Sequence, residues 1–455
     1  MNHRAISPLD GRYHSRTKLL ADTLSEWALM KYRLIIELRW LIALSRNPLI
    51  THVRSLTAAE LALLESFIEH FNEADASQIK AIEKITNHDV KAIEYFLREK
   101  FATTSLSDLT ECIHFACTSE DINNLAYGLM FQEALQSVWI PAAQSLLDQL
   151  SHMADDLAAT PMLSRTHGQA ATPTTMGKEL AVFIHRASRQ LKQIQQQEYL
   201  GKFSGAVGAF NAHYIAYPDL DWPHFAADFV TSLGLTYNPL TTQIESHDYL
   251  AELAHALIRF NTVILDLCRD LWTYISLAYF KQQLIADEVG SSTMPHKINP
   301  IDFENAESNI GLSNALLDHL AQKLPVSRLQ RDLSDSSSLR NYGVGIAHSL
   351  LALQSTLRGL NKLAINPDAL NQDLENNWEL LAEPIQTILR KNGLPNAYEL
   401  LKELTRGQHL TAAEIHDFIS QLDISVADKE NLLSLTPSSY IGLAAQLTRN
   451  FLNNR

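Results

Sequence analysis

The chain has 455 residues, 46% hydrophobic and 19% charged, with a formal net charge of -14. That length exceeds what one hydrophobic core supports, so two or three domains are expected. The acidic balance argues against a nucleic-acid partner, which needs a basic footprint, but leaves room for a small anionic substrate in a locally basic pocket.

Gly and Pro are scarce, 16 and 15 residues, which favours long helices. After Ser7-Pro8-Leu9-Asp10-Gly11-Arg12-Tyr13, the residues Leu34, Leu38, Leu41 and Ile42 share one helical face. Thr86-Asn87-His88-Asp89 interrupts the helical text with polar residues. The polar stretch Thr103 to Thr110 precedes a change of pattern, and a boundary near residue 110 follows. A second polar interruption is Thr118-Ser119-Glu120-Asp121-Ile122-Asn123-Asn124. Helical spacing returns in Leu146, Leu150, Met153 and Leu157, breaks at Thr166-His167-Gly168-Gln169, and resumes in Leu180, Ile184, Ala187, Leu191 and Ile194.

The segment Gly201 to Trp222 sets Gly201, Gly205 and Gly208 among aromatics, ahead of Pro218 and Pro223. It is expected to be a loop or small strand excursion with a close backbone approach. It lacks the Gly-Lys-Ser/Thr ending of a phosphate-cradling loop. From about His247 to Ile285 no Gly or Pro occurs, and Leu250, Leu253, Leu257, Phe260, Ile264, Leu267, Leu271 and Ile275 make one apolar stripe. Such a helix would span roughly 50 Å. It could be one long helix of a monomer or part of a bundle that also packs against other subunits, and we favour the bundle. Gly290-Ser291-Ser292-Thr293-Met294-Pro295-His296-Lys297-Ile298-Asn299-Pro300 reads as a hinged loop with two hydroxyls and anion-binding donors, or as an ordinary connector. Arg328 to Arg340 mixes arginines with serines. Asn366-Pro367-Asp368 ends the second part. Three domains are expected: 1–110, 111–366 and 367–455.

Short polar segments scattered through helical text are how a site assembled from several elements looks. Cys112, Cys117 and Cys268 show no zinc-like spacing, and there is no His-Glu-x-x-His box. No metal and no cofactor are expected. A sparse, odd cysteine set fits a reducing compartment. With no secretory core and no apolar run near the roughly 20 residues of a membrane helix, the cytoplasm is the expected location and no membrane contact is expected.

Gly-Ser-Ser-x-Met-Pro-x-Lys-x-Asn-Pro at 290–300 resembles the signature loop of the fumarase/aspartase superfamily. Ser164-Arg165-Thr166-His167-Gly168-Gln169, followed by Thr172-Pro173-Thr174-Thr175-Met176-Gly177-Lys178, resembles the form found in the adenylosuccinate lyase family of bacteria. So do the segments 86–91 and 118–124. The resemblance runs from Ser7 to the C-terminus. One departure is Ala170, where proline is expected, and its loss would loosen the turn without removing a catalytic group.

The resemblance implies an all-α, three-domain fold around a central long-helix bundle. It also implies a homotetramer whose sites draw on different subunits. The implied reaction is β-elimination of fumarate from adenylosuccinate, giving AMP, and from the succinylated carboxamide ribotide SAICAR, giving AICAR. Ser291 matches the base and His167 the general acid, with Glu304 orienting the histidine. Lys297 and Asn299 match contacts to the succinyl end, as do Thr118 and Ser119, and Ser292 matches a substrate contact. His88 matches a second site histidine, read either as a phosphate contact, as an aid to the acid, or as the base. Gln243 matches a nucleotide contact, while Arg12, Tyr13, Arg331, Ser336 and Arg340 match phosphate and ribose contacts. Asn87, Asp89 and Asn305 complete the implied substrate set. Without the family pattern, a lone histidine among 18 reads as structural and the arginines read as surface solubility. The loop by itself fits argininosuccinate lyase or fumarase equally, and a non-catalytic helical scaffold is a third reading.

Overall fold

Long helices carry this chain because its apolar residues repeat at helical spacing with few breakers between them. The computed structural model describes residues 4–283, 293–294, 296–405 and 410–455. Its longer helices are Glu26–Arg46, Ile140–Asp156, Met176–Gln195, Asp248–Ser276, Ile301–Lys323 and Tyr342–Leu360. The expected stripes are core: Leu34, Leu38, Leu146, Leu150, Ile184, Ala187 and Leu253 to Leu271 of the 248–276 stripe are all buried to 1% exposure or less. Leu157 lies one residue past its helix, where its amide closes the last turn on Met153 O at 3.1 Å.

The helix expected over 247–285 is shorter. It stops at Ser276, Ala278 takes a left-handed φ of 59°, and Phe280–Gln282 pairs antiparallel with Leu363–Ile365. Glycine commonly marks such a stop; here alanine occupies the left-handed position, so the sequence carries no breaker. Residues 284 and 285 lie outside the described residues. The 201–222 segment matches its expectation. Leu200–Gly201 pairs in parallel with Thr236–Tyr237, and a short helix Asn211–Ala216 follows.

The chain divides into two compact units, each gathered from separated stretches. The first holds residues up to Ala143, Gln190–Asn261 and Ser308–Ala352. A buried polar zipper registers its helices. Trp139 Nε1 donates to Ser349 Oγ at 2.9 Å, Ser349 donates to Asn261 Oδ1 at 2.7 Å, and Asn261 Nδ2 donates to Ser313 Oγ at 3.1 Å. Each bond satisfies a polar group that would otherwise be buried without a partner. The second unit holds Gln144–Arg189, Thr262–Glu307 and Leu353–Arg455. There Asp302 takes Arg358 at 2.8 Å and Lys362 at 3.0 Å, and Gly359 leaves room for the Phe303 ring, which a Cβ would approach to 2.7 Å.

We propose 1–110, 111–366 and 367–455 as the folding segments. The last is supported by a core drawn wholly from it, including Trp378, Ile385, Leu389, Ile415 and Ile419. No helix among the described residues is long and apolar enough to cross a membrane.

Gly208 has a φ of +77°, and a Cβ there would sit 2.1 Å from the Thr241 carbonyl oxygen. Gly234 has a φ of +85° with open space around it. Gly208→Ala is therefore expected to cost about 3 kcal/mol of stability in denaturant titration, against about 1 kcal/mol for Gly234→Ala. Equal losses would refute the close approach.

Candidate active site

The first unit builds its polar cluster at helix ends. The helix Glu73–Thr86 finishes at Asn87, which takes the left-handed conformation (φ 51°, ψ 34°) that asparagine tolerates. His88 follows in an extended conformation and caps the helix Asp89–Ala102, its Nδ1 accepting the Lys91 amide at 3.1 Å. That bond makes Nε2 the protonated nitrogen of the neutral ring. Asp89 is drawn into two ion pairs, with Arg33 NH2 at 2.7 Å and Arg340 NH2 at 2.9 Å on the same carboxylate oxygen. Burial pushes the Asp89 carboxyl up, but the adjacent guanidiniums, Arg33 foremost, outweigh it and hold it below the usual range.

Thr118 and Ser119 stand at the start of the helix Ser119–Ala134, which is pinned by Asp121. Asp121 is fully buried. Its oxygens accept the amides of Thr118 at 2.8 Å, Ser204 at 2.9 Å and Gly205 at 3.1 Å, and pair with the fully buried Lys202 Nζ at 2.7 Å. Lys202 also donates to Gly205 O at 3.0 Å. The segment entering this corner is conformationally unusual, with His114 and Ala116 both at positive φ, 60° and 59°. His114 is anchored on the buried Glu37 at 2.5 Å. Burial disfavours its charge, but Glu37 more than offsets that and raises its pKa above the usual value.

Gln243 and Arg331 close the far side. Gln243 Nε2 donates to Ala206 O at 3.0 Å, and Arg331 donates to Gln243 Oε1 at 3.2 Å and to Glu120 Oε1 at 2.9 Å. Glu120 also accepts from Asn123 at 2.7 Å, and Asn123 Oδ1 accepts from Arg33 Nε at 2.8 Å. A continuous path of side chains results: Arg340, Asp89, Arg33, Asn123, Glu120, Arg331, Gln243. Sequence reasoning singles out Asp89, Gln243, Arg331 and Arg340 from this path and misses Arg33, Asn123 and Glu120. A signal exists for Arg33. It stands with Glu37 on the core face of the helix Glu26–Arg46, at helical spacing with Met30, Trp40 and Leu44. Charge on a core stripe is costly unless paired, so it asks for an explanation.

Beneath Arg331, Glu245 and His247 are buried beside Asp335, and His247 Nε2 lies 3.7 Å from Asp335 Oδ2. Burial raises the Glu245 carboxyl. Burial would raise Asp335 too, but His247 and Arg331 reverse the shift and hold it low. Ser336 sits in the short helix Ser334–Leu339, half-buried. Arg12 is exposed and Tyr13 half-buried, in a turn tied by Tyr13 N to Pro8 O at 2.8 Å; they lie outside the path of side chains.

In the second unit His167 occupies the tip of a hairpin. Pro161–Thr166 pairs with Gln169–Thr175, and the two-residue turn places His167 at φ 53° and Gly168 at φ 75°. Two positive φ values are what a tight hairpin turn of this hand requires. Ala170, where proline was expected, pairs in register with Arg165. Arg165 secures the hairpin by donating to Tyr279 OH and to Asp373, both at 2.6 Å. The His167 ring is exposed. Lys297 is exposed, with its amide on Met294 O at 3.0 Å, and Asn299 is half-buried. Glu304 accepts from Trp272 Nε1 at 3.2 Å, and among the described residues no hydrogen bond joins it to His167. Asn305 Oδ1 accepts from Ser355 at 2.7 Å. Ser291 and Ser292 lie outside the described residues. No group of three His, Cys, Asp or Glu able to hold a metal ion occurs among the described residues.

Comparison with known proteins places these features in context. Residues 11–312 match the family described as Lyase, and residues 327–441 match the family described as Adenylosuccinate lyase C-terminal. The adenylosuccinate lyase of Haemophilus influenzae is 53% identical over 444 residues, covering 97% of each chain. That of Vibrio cholerae is 53% identical over 446 residues, covering 98% of each, and that of Escherichia coli K12 is 53% identical over 441 residues, covering 97% of each. Among solved structures, a fumarate lyase from Mesorhizobium sp. BNC1 superposes with a TM-score of 0.76 at 16% identity, covering 96% of this chain and 98% of that one. The 3-carboxy-cis,cis-muconate lactonizing enzyme of Pseudomonas putida gives 0.75 at 20% identity, covering 96% of each. These two likenesses establish the all-α fold.

Removing one partner of a fully buried ion pair strands the other charge. Lys202→Met is therefore expected to cost about 3–5 kcal/mol. Adding Asp121→Asn to it should recover part of that loss, as read from denaturant midpoints. A double variant less stable than Lys202→Met would show that the pair does not organise this corner.

Proposed function

The chain belongs to the adenylosuccinate lyase family, and from that membership we propose that it splits adenylosuccinate into AMP and fumarate, and SAICAR into AICAR and fumarate. The observation that carries this reading is identity of 53% over 444 residues, 97% of the chain.

The chemistry asks for a base, an acid and a holder for negative charge. A proton leaves the succinyl Cβ, the electron pair forms the fumarate double bond, and the C–N bond breaks toward nitrogen. Ser291 takes the Cβ proton, and His167 delivers a proton to the departing nitrogen. Lys297 and Asn299, with Ser292, hold the succinyl carboxylate whose charge grows as the proton leaves. Thr118 and Ser119 contact the same end. The position of His167 at the tip of a braced hairpin supports an acid held at a defined place. Glu304 is the carboxylate that orients this histidine.

For His88 the capping bond supports a choice among the three roles. Its Nδ1 lone pair is committed to the Lys91 amide, so the neutral ring offers Nε2–H as a donor. A donor suits phosphate better than it suits proton abstraction. His88, Arg12, Tyr13, Arg331, Ser336 and Arg340 accordingly serve the phosphate and ribose, with Gln243 as a nucleotide contact and Asn87, Asp89 and Asn305 completing the substrate set. Arg331 and Arg340 support that role, because each already holds an oxyanion-like partner, Glu120 and Asp89. The working protein is a homotetramer, and its place in nucleotide synthesis puts it in the cytoplasm.

Purified protein given adenylosuccinate should yield fumarate and AMP in equal amounts, followed by ultraviolet absorbance. Turnover of argininosuccinate or malate in its place, or of none of these, would sink the assignment. Ser291→Ala and His167→Ala should each lower kcat by at least about 10²–10⁴-fold; near-normal kcat in either removes it from its role. Light scattering should report four copies of the chain, and an active monomer would overturn the shared site.

A further inference from the structure

Arg33 is 3% exposed, yet it carries a full charge in the helix Glu26–Arg46. Its guanidinium splits between two elements. Nε donates to Asn123 Oδ1 at 2.8 Å in the helix Ser119–Ala134, and NH2 donates to Asp89 Oδ2 at 2.7 Å at the start of the helix Asp89–Ala102. The same Asp89 oxygen receives Arg340 NH2 at 2.9 Å. Arg340 is the more exposed of the two arginines, its side chain 38% accessible against 4% for Arg33.

Two cations on one carboxylate have a consequence for anion binding. If Asp89 paired with Arg340 alone, the pair would be neutral and a phosphate would compete with Asp89 for the guanidinium. Arg33 takes up that carboxylate first. At Asp89 two guanidiniums share one carboxylate, whereas Arg331 is matched by Glu120 at 2.9 Å and Asp335 at 4.0 Å. Glu26, 4.0 Å from Arg340, is held more closely by Lys80 at 2.8 Å, which also pairs with Glu83 at 2.7 Å. The planar fork of arginine suits this double duty, which the point charge of lysine does not reproduce.

We infer that Arg33 is a positioning residue for phosphate recognition: it occupies Asp89, leaves Arg340 free to exchange that partner for an anion, and fixes Arg340 relative to Arg331 through Asn123 and Glu120. It never touches the substrate. The inference rests on Arg340 being a phosphate contact, and the test separates the two.

The readout is kcat and KM for adenylosuccinate and for succinyladenosine, the same compound without its 5′-phosphate. Wild type should prefer the phosphorylated compound in kcat/KM, and Arg340→Met should erase most of that preference. Arg33→Met should reduce the preference about 10-fold, through KM for adenylosuccinate, with kcat and the kcat/KM for succinyladenosine within about 3-fold of wild type. Arg33→Lys, which restores charge without the fork and disturbs packing less, should lose about 3-fold, and it decides the matter if Arg33→Met does not fold. An equal fall for both compounds would make Arg33 a stability residue only and overturn the inference. An unchanged preference in Arg33→Lys and Arg33→Met would do the same. If Arg340→Met keeps the wild-type preference, the reading of Arg340 fails, and the inference with it.

Discussion

The Asp121 carboxylate is the constraint from which the first unit's polar cluster follows. It has no exposed surface, and it gathers three backbone amides and the Lys202 ammonium. A buried charge is tolerable only with such a complement of donors. Satisfying it forces the start of the helix Ser119–Ala134 against the 202–205 segment. That contact sets where Thr118, Ser119 and Glu120 stand. Glu120 in turn carries Arg331, and Arg331 carries Gln243. A single desolvated carboxylate thus sets the positions of groups more than two hundred residues apart.

Helix ends do the rest. A helix interior satisfies its own backbone and offers side chains only to its flanks, whereas an end leaves amides and carbonyls in need of partners. Asn87, His88, Thr118 and Ser119 all occupy such ends. The capping bond of His88 illustrates the coupling between fold and chemistry, because the requirement of one backbone amide selects which imidazole nitrogen bears the proton. His167 follows another route, a two-residue turn with both residues in the left-handed region. There a non-glycine side chain accepts backbone strain in exchange for a defined exposed position. The arginine hold on Tyr279 and Asp373 supplies the bracing that strain requires.

The charge pattern agrees with the overall acidity. A chain of net charge -14 binds an anion only where it concentrates cations locally. The path from Arg340 to Gln243 gathers three guanidiniums, of which Arg33 is shielded from water. Carboxylates within it hold the guanidiniums apart.

Much of this was legible in the sequence, for a definite reason. Periodicity reports burial directly, so the helices around Leu34, Leu146, Ile184 and Leu257 could be placed by spacing alone. Residue type reports chemistry, so the polar breaks at 86–89, 118–124 and 166–169 stood out from helical text, and their pattern identified the family. The end of the long helix was not legible, because Ala278 adopts a conformation that carries no signature in its identity. Nor was the role of Arg33, because a charge on a core stripe signals that partners are needed without saying which. Those partners, Asp89 and Asn123, are 56 and 90 residues away. Composition and local order determined which groups this protein has and which reaction they suit. Only the tertiary structure decided which charges share a partner, because ion pairing depends on distances of a few ångströms that no local rule supplies.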